Sequence, residues 1–137
     1  SKTNYLEAVP YLTAVFQESL RGAHGVAGRL VRIAPDEDID YHGQKIPSGM
    51  TFSVTQYIHN VNPGIFPEPH KFIPDRYLGP NEAETLRYLA PYGRGPGMCF
   101  GLNLAWPEMY LTITAVIGSL DLQLYDTCSS MTPLTGT

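Results

Sequence analysis

"GRGPGMCFG", residues 93–101, sets one cysteine among four glycines. Glycine serves where a backbone bends sharply or comes close to another group. The stretch therefore reads as a collar that presents Cys99. A cysteine binds metal as its thiolate, which nearby donors and positive dipole ends stabilise. Gly95 and Gly101 leave room for backbone amides to face the sulfur, and a helix expected from near Phe100 sets its positive end beside it.

One thiolate with no second Cys or His close by in sequence makes a poor zinc site, because structural zinc takes four ligands. A metal whose other positions are filled by a macrocycle needs a single protein ligand, and haem iron held by an axial cysteine meets that description. The competing reading is an inert buried thiol, the ordinary fate of a free cysteine. Cys128 is the second cysteine, and a Cys99–Cys128 bridge stays open on sequence alone.

Outward from the loop, Leu102, Ala105, Met109, Leu111, Thr112, Ala115, Val116 and Leu120 recur at helical spacing and predict a buried stripe. Pro107 falls inside that helix, where a missing donor and a ring clash predict a bend. On the other side, Pro63, Pro67, Pro69, Pro74, Pro80 and Pro91 forbid long helices. An irregular meander with one helical turn at 81–88 is expected there. "RLVRIAP" (29–35), "DIDYHGQKIPSG" (38–49) and "MTFSVTQYIHN" (50–60) read as short strands separated by Gly- and Pro-containing turns. From Tyr5 to Arg21, Leu6, Val9, Leu12, Val15, Phe16 and Leu20 predict an amphipathic helix. The Ser/Thr-rich tail 126–137 is expected to fray.

The chain has 137 residues, 43% hydrophobic and 16% charged, a globular composition with room for one domain or one piece of a larger one. A net charge of −4 argues against nucleic acid as a partner. No apolar run reaches the roughly 20 residues of a membrane span. The chain opens inside a helical pattern, so a segment of a longer polypeptide is expected. The histidines 24, 42, 59 and 70 lack ligand-like spacing. "DEDID" (36–40) lacks the glycine and terminal Glu of a calcium loop.

Two further stretches gain meaning from their order. "ESLR" places Glu18 and Arg21 three residues apart on one helix face. "FIPDRYL" (72–78) holds Arg76 in a proline turn, from which a planar fork can cap Glu18. With "YGRGPGMCFG" (92–101), this ordered set resembles the cytochrome P-450 family: the E-x-x-R helix, the P-E-R-F segment and the haem-ligand loop F-x-x-G-x-R-x-C-x-G. Ala105 and Glu108 stand where the family has Ala and Glu, and "NPGIFPEPHKF" (62–72) is similar to the stretch before its meander. The spacing within "GRLVRIAP" resembles fungal members.

The resemblance implies a fold that is mainly α with small β-hairpins (α+β), the C-terminal portion of the family fold. Residues 1–137 would be the proximal side of a haem domain and not an independent one. Cys99 would be the axial thiolate, pushing electron density onto iron to favour O–O cleavage. Gly95 and Gly101 would let the loop pass close to the porphyrin, Tyr92 would lie under the ring, and Arg32 would pair with a propionate. Glu18, Arg21 and Arg76 would form a structural network holding the meander. Residues Val26 to Val31 would line the substrate pocket.

The implied activity is insertion of one oxygen atom from O2 into a small apolar organic substrate. Electrons would come from an NADPH-dependent reductase on the proximal face, and the parent enzyme would sit on the cytosolic face of the endoplasmic reticulum. A non-oxygenating haem-thiolate isomerase or dehydratase, and a degenerate fragment without activity, are the alternatives. One departure matters most: the family carries Arg or His two residues before its cysteine, and here that position is Gly97. Arg94 lies nearby in sequence, and its part is open.

Overall fold

The structure, a computed structural model, describes residues 8–23, 25–26 and 28–123. The first seven residues, with Leu6, and the tail from 124 onward, with Cys128, lie outside the described residues. The architecture is mainly α with small antiparallel β-hairpins, as the sequence predicts.

Helix α1 spans Pro10–Ala23. Proline suits its first position, where the missing N–H has no helical partner anyway. Two small ladders follow. Strand β1 (Arg32–Ile33) pairs antiparallel with β4 (Thr51–Phe52), setting Arg32 opposite Phe52. Between them β2 (Ile39–Tyr41) and β3 (Gln44–Ile46) form a hairpin. Its turn residues His42 and Gly43 both take positive φ, 52° and 80°, the twist a two-residue hairpin requires. "DEDID" serves this hairpin: Asp38 accepts from Ser48 N at 2.9 Å and Lys45 Nζ at 3.0 Å, and Asp40 accepts from Gly43 N.

The expected strand over 50–60 is only half strand. After β4 the chain turns into a short helix, α2 (Gln56–Asn60). Tertiary hydrogen bonds outweigh its β-forming residues. Gln56 Nε2 donates to Ala90 O, the His59 ring bonds Tyr88 O, and Asn60 exchanges two bonds with Arg21. The proline-rich stretch holds a 3-10 turn at Pro74–Tyr77 and α3 at Glu82–Tyr88, close to the expected helical turn.

Helix α4 spans Leu102–Ser119, starting two residues later than expected. It continues through Pro107, the site of the expected bend, as one helical element. With Leu102 first, the proline deprives only the carbonyl of Asn103 of its partner. Asn103 is exposed, so that carbonyl does not lie in a dry core.

The core is small and partly charged. Ala14, Phe16, Phe66, Tyr77 and Tyr110 are its buried hydrophobic members, joined by Glu18, Arg21 and Asn60. The buried face of α1 is therefore Ala14–Glu18–Arg21 with Phe16, not the expected apolar stripe; Val9 is exposed and Leu12, Val15 and Leu20 are half-buried. The stripe expected on α4 is corrected as well. Tyr110 is its buried residue, Leu102, Ala105 and Met109 are half-buried, and Leu111, Thr112, Ala115, Val116 and Leu120 are exposed. Tyr110 joins the two helices: it meets Phe16 edge-on at 4.8 Å between ring centroids, and its hydroxyl shares a hydrogen bond with Thr13.

Candidate functional site

The loop before α4 is shaped by its glycines. Gly93 and Gly95 take φ of +76° and +78°, a region that L side chains rarely enter. The turn is closed by Cys99 N donating to Tyr92 O at 2.9 Å, with Met98 N to Gly95 O at 3.0 Å inside it. Past the cysteine, Leu104 N and Ala105 N both donate to Gly101 O, which starts α4. The helix N-terminus thus lies just beyond Cys99, an electropositive neighbourhood for a thiolate.

Cys99 is a free, exposed cysteine. A Cβ on Gly101 would lie 3.6 Å from its Sγ, so the sulfur borders the bare α-carbon of residue 101. Tyr92 is half-buried, and its phenol pKa is raised, first by burial and then by the negative charge that Cys99 can carry. The exposed flanks are apolar: Met98 on one side and Phe100, wholly exposed at 102%, on the other. Val26, Leu30 and Val31 are exposed as well.

Arg32 is brought to the loop by β1. Its Nη2 lies 3.8 Å from where a Cβ on Gly97 would be, and its Nη1 donates to Val31 O. Arg94 is occupied elsewhere: its Nη2 donates to the carbonyls of Leu86, Arg87 and Leu89, closing the C-terminal end of α3. A cation there suits a helix terminus. These bonds hold Arg94 Nη2 at the end of α3.

Away from the sulfur, Glu18 gathers Arg21 and Arg76. Arg21 grips both carboxylate oxygens, Nε to Oε2 and Nη2 to Oε1, each at 2.8 Å. Arg76 does not present the expected fork to Glu18. Its Nε reaches Oε2 at 3.2 Å while Nη1 donates to Pro67 O. Ile73 N completes the set on Oε1 at 3.0 Å, and Arg21 also reaches Asn60 O and Lys71 O. Burial works to raise the pKa of Glu18, but the Arg21 bond, the Ile73 N–H and the charges of Arg21 and Arg76 outweigh it and hold the carboxyl below its usual range. Arg21 in turn is held more firmly protonated by its bond to Glu18. The Arg21 guanidinium also lies 5.6 Å from the centroid of the Phe66 ring, within cation–π range.

Asn60, Ile73, Gln56, His59 and Arg94 escape a reading by motif. Only the backbone of Ile73 is used, which no residue identity betrays. Asn60 offers one weak signal, an amide just before "VNPG". Among the described residues no group of three or more His, Cys, Asp or Glu could hold a metal ion. A metal at this loop therefore needs its remaining ligands from elsewhere, as a macrocycle supplies them. The accessible sulfur, the glycine beside it, the apolar flanks and the cation on β1 together fit such a group.

Residues 2–135 match the family described as Cytochrome P450, nearly the whole chain. The chain belongs to the cytochrome P450 family. It is 50% identical over 129 residues to the cytochrome P450 monooxygenase ucsK of Acremonium sp, covering 87% of this chain and 24% of that protein. With the cytochrome P450 monooxygenase astB of Aspergillus terreus it shares 39% identity over 127 residues, 91% of this chain and 25% of the relative. With BOT1 of Botryotinia fuckeliana the figure is 38% over 130 residues, 95% and 25%. The chain spans about a quarter of the length of these curated relatives. It is part of a family of oxidoreductases.

Proposed function

We propose that this chain is the proximal, cysteine-bearing part of a haem-thiolate monooxygenase, with Cys99 as the axial ligand of haem iron. One observation carries the reading: Cys99 is exposed at the tip of a glycine-shaped turn, hydrogen-bonded to Tyr92 O and directly before the start of α4. Bound there, the haem would supply the activation of O2 and the transfer of one oxygen atom to a small apolar organic substrate.

The chain's own residues position and tune. Gly95 supports the turn through its positive φ, and Gly101 leaves the sulfur uncrowded on the α4 side. The start of α4 favours the thiolate over the thiol. Tyr92 holds the loop through its carbonyl, which accepts from Cys99 N, and its half-buried phenol feels the charge that Cys99 can carry. Arg32 offers its guanidinium to the anionic edge of the macrocycle. Glu18, Arg21 and Arg76 touch no reacting atom; they fasten the meander to α1. The exposed Val26, Leu30 and Val31 border the substrate side. An NADPH-dependent reductase would dock on the proximal surface near the loop, and placement at the cytosolic face of the endoplasmic reticulum rests on the family resemblance. No helix among the described residues is long and apolar enough to cross a membrane.

The names of the relatives are all monooxygenases, which favours oxygen insertion over the isomerase or dehydratase alternative. The test is spectroscopic. The longest natural form of the protein containing residues 1–137 is reduced and treated with carbon monoxide. The red-shifted Soret band of thiolate ligation is expected, and its loss in Cys99→Ser ties it to this sulfur. Absence of the band in the unsubstituted protein overturns the assignment and leaves the degenerate reading. The band without NADPH- and O2-dependent product formation favours the non-oxygenating alternative.

A further inference from the structure

The C-terminal end of α3 is held from outside the helix. A helix leaves its last carbonyls without partners of its own. Here the five successive carbonyls of residues 86–90 accept from the side chains of three residues that lie elsewhere. Arg94, inside the cysteine turn, takes Leu86, Arg87 and Leu89. His59 Nε2 donates to Tyr88 O at 2.6 Å, and Gln56 Nε2 to Ala90 O at 3.0 Å. A carbonyl only accepts, so the His59 ring keeps a proton on Nε2. Ala90 O accepts twice, because Gly93 N also donates to it at 3.1 Å, and Cys99 N then closes the turn on Tyr92 O. Gln56, His59 and Asn60 stand at i, i+3 and i+4, one face of α2. Asn60 exchanges two buried bonds of 2.9 Å with Arg21. Helix α2 is thus a strut between the Glu18–Arg21 node and the entry of the cysteine turn.

We propose that Gln56 and His59 are positioning residues for the Cys99 thiolate: their two donors tie the entry of the cysteine turn to α2, and through Asn60 to α1, so that the sulfur keeps its place toward a bound haem. The inference rests on the haem-thiolate reading above and adds to it two side chains that touch no reacting atom. Residues 94–100 are exposed, so packing within this chain does little to fix the turn. Its placement falls to the hydrogen bonds at its entry. Losing one of them should shift a local opening equilibrium roughly two- to tenfold.

Two readouts on the natural full-length, haem-loaded protein test this. One is hydrogen exchange at the Gly93 and Cys99 amides; the other is the rate at which the thiolate-type Soret band of the reduced, carbon monoxide-bound protein is lost in mild urea. Wild type is compared with three variants. His59→Phe keeps a ring edge toward Phe66 but has no donor. His59→Gln keeps an amide donor but no ring, and Gln56→Met keeps the length of the side chain without its donor. His59→Phe and Gln56→Met should each speed both exchange and band loss roughly two- to tenfold. His59→Gln should stay within about twofold of wild type, because a donor still reaches for the carbonyl. A His59→Gln protein as impaired as His59→Phe would assign the effect to the ring and overturn the proposal. Faster exchange of equal size in the β2–β3 hairpin would mean general loosening and overturn it too, as would faster exchange at the turn with an unchanged rate of band loss. A wild type that shows no thiolate-type band overturns the functional reading and this inference together. A normal band with variants indistinguishable from wild type overturns this inference alone.

Discussion

The backbone N–H of Ile73 donates to Glu18 Oε1 at 3.0 Å, joining the meander to a helix that lies 55 residues earlier in the chain. The same carboxylate takes both prongs of Arg21 and the Nε of Arg76, so one side chain accepts four hydrogen bonds. A buried charge needs such a set, because an unpaired one is strongly disfavoured. Glu18 is the point at which α1, the meander and the 3-10 turn become one body.

Glu18→Gln is expected to destabilise the protein by about 3–5 kcal/mol, since it strands two buried guanidinium groups without a counterion. Denaturant unfolding of variant and wild type measures it. A loss below about 1 kcal/mol, the size of an exposed pair, would show that the network is not holding the meander.

The same network sets a dependence on pH. The folded-state pKa of Glu18 lies below its ordinary value of 4.5, so its contribution is fully present above that value and is lost as pH falls through the folded pKa. Wild-type stability should therefore fall as the medium is acidified below about pH 4.5, and Glu18→Gln should flatten that limb. Melting temperatures across pH 3–7 decide it. Parallel curves for the two proteins would sink the assignment.

How much of this is legible in the sequence follows from where the information sits. Glu18, Arg21, Arg76 and Cys99 stand in short motifs, and the His42–Gly43 turn needs residues that tolerate positive φ, so residue identity announces them. The buried face of α1 is not announced. Hydrophobic periodicity points to Leu12 and Val15, whereas burial goes to Glu18 and Arg21 because the meander supplies their partners. Helix α2 reads as strand for a similar reason: its residues favour extended backbone, and contacts to Ala90, Tyr88 and Arg21 override that preference. The relation of Arg32 to Gly97 lies in space alone, since the two positions are far apart in the chain.

Tyr77 offers a sharper contrast. Its ring is in the core at 1% exposure, and its hydroxyl lies near enough to Glu18 to feel its charge yet has no partner of hydrogen-bond geometry. Burial, then the Glu18 charge, raises its pKa well above the usual phenol range. Tyr77→Phe should change stability by less than about 1 kcal/mol, because the hydroxyl has at most a poorly aligned contact with Glu18. Tyr77→Ala should cost about 3–5 kcal/mol through the cavity it leaves. Because the folded pKa is the higher one, the stabilising effect of the neutral phenol is present below its ordinary value of 10.0 and is lost as pH rises beyond it. Tyr77→Phe should remove that part of the alkaline loss, and equal alkaline limbs would overturn the point.

The two collar glycines should separate backbone strain from crowding. A Cβ on Gly95 meets nothing within 4 Å, but its φ of +78° makes any L residue costly. Gly95→Ala is therefore expected to destabilise the protein by about 1–2 kcal/mol. Gly101 has an ordinary φ of −77°, so Gly101→Ala should leave stability unchanged while setting a methyl 3.6 Å from the Cys99 sulfur. Slower alkylation of Cys99 by a maleimide, with an unchanged melting temperature, is the expected signature. The reverse pattern would mean that the two glycines exchange these tasks.

Pro107 is the last position at which residue chemistry and observed structure pull apart. Helix α4 passes through it, although the proline has no N–H to give Asn103 and its ring crowds the preceding turn. Nearby contacts brace the helix around the proline: Trp106 stacks on Tyr110 at 5.9 Å between centroids, Tyr110 meets Phe16, and Thr13 bonds the Tyr110 hydroxyl. Pro107, Trp106, Tyr110 and Thr13 border a cavity of about 450 Å³ between α1 and α4, so the proline ring is not needed to fill a tight core. Pro107→Ala restores one helical hydrogen bond and should raise stability by roughly 1–3 kcal/mol. Tyr110→Phe, which removes the bond to Thr13, should cost more in the wild-type protein than in the Pro107→Ala variant, because only the former needs tertiary contacts to keep α4 continuous. Unfolding curves for the four proteins give the coupling, and additive effects would show that the helix tolerates its proline without help from α1.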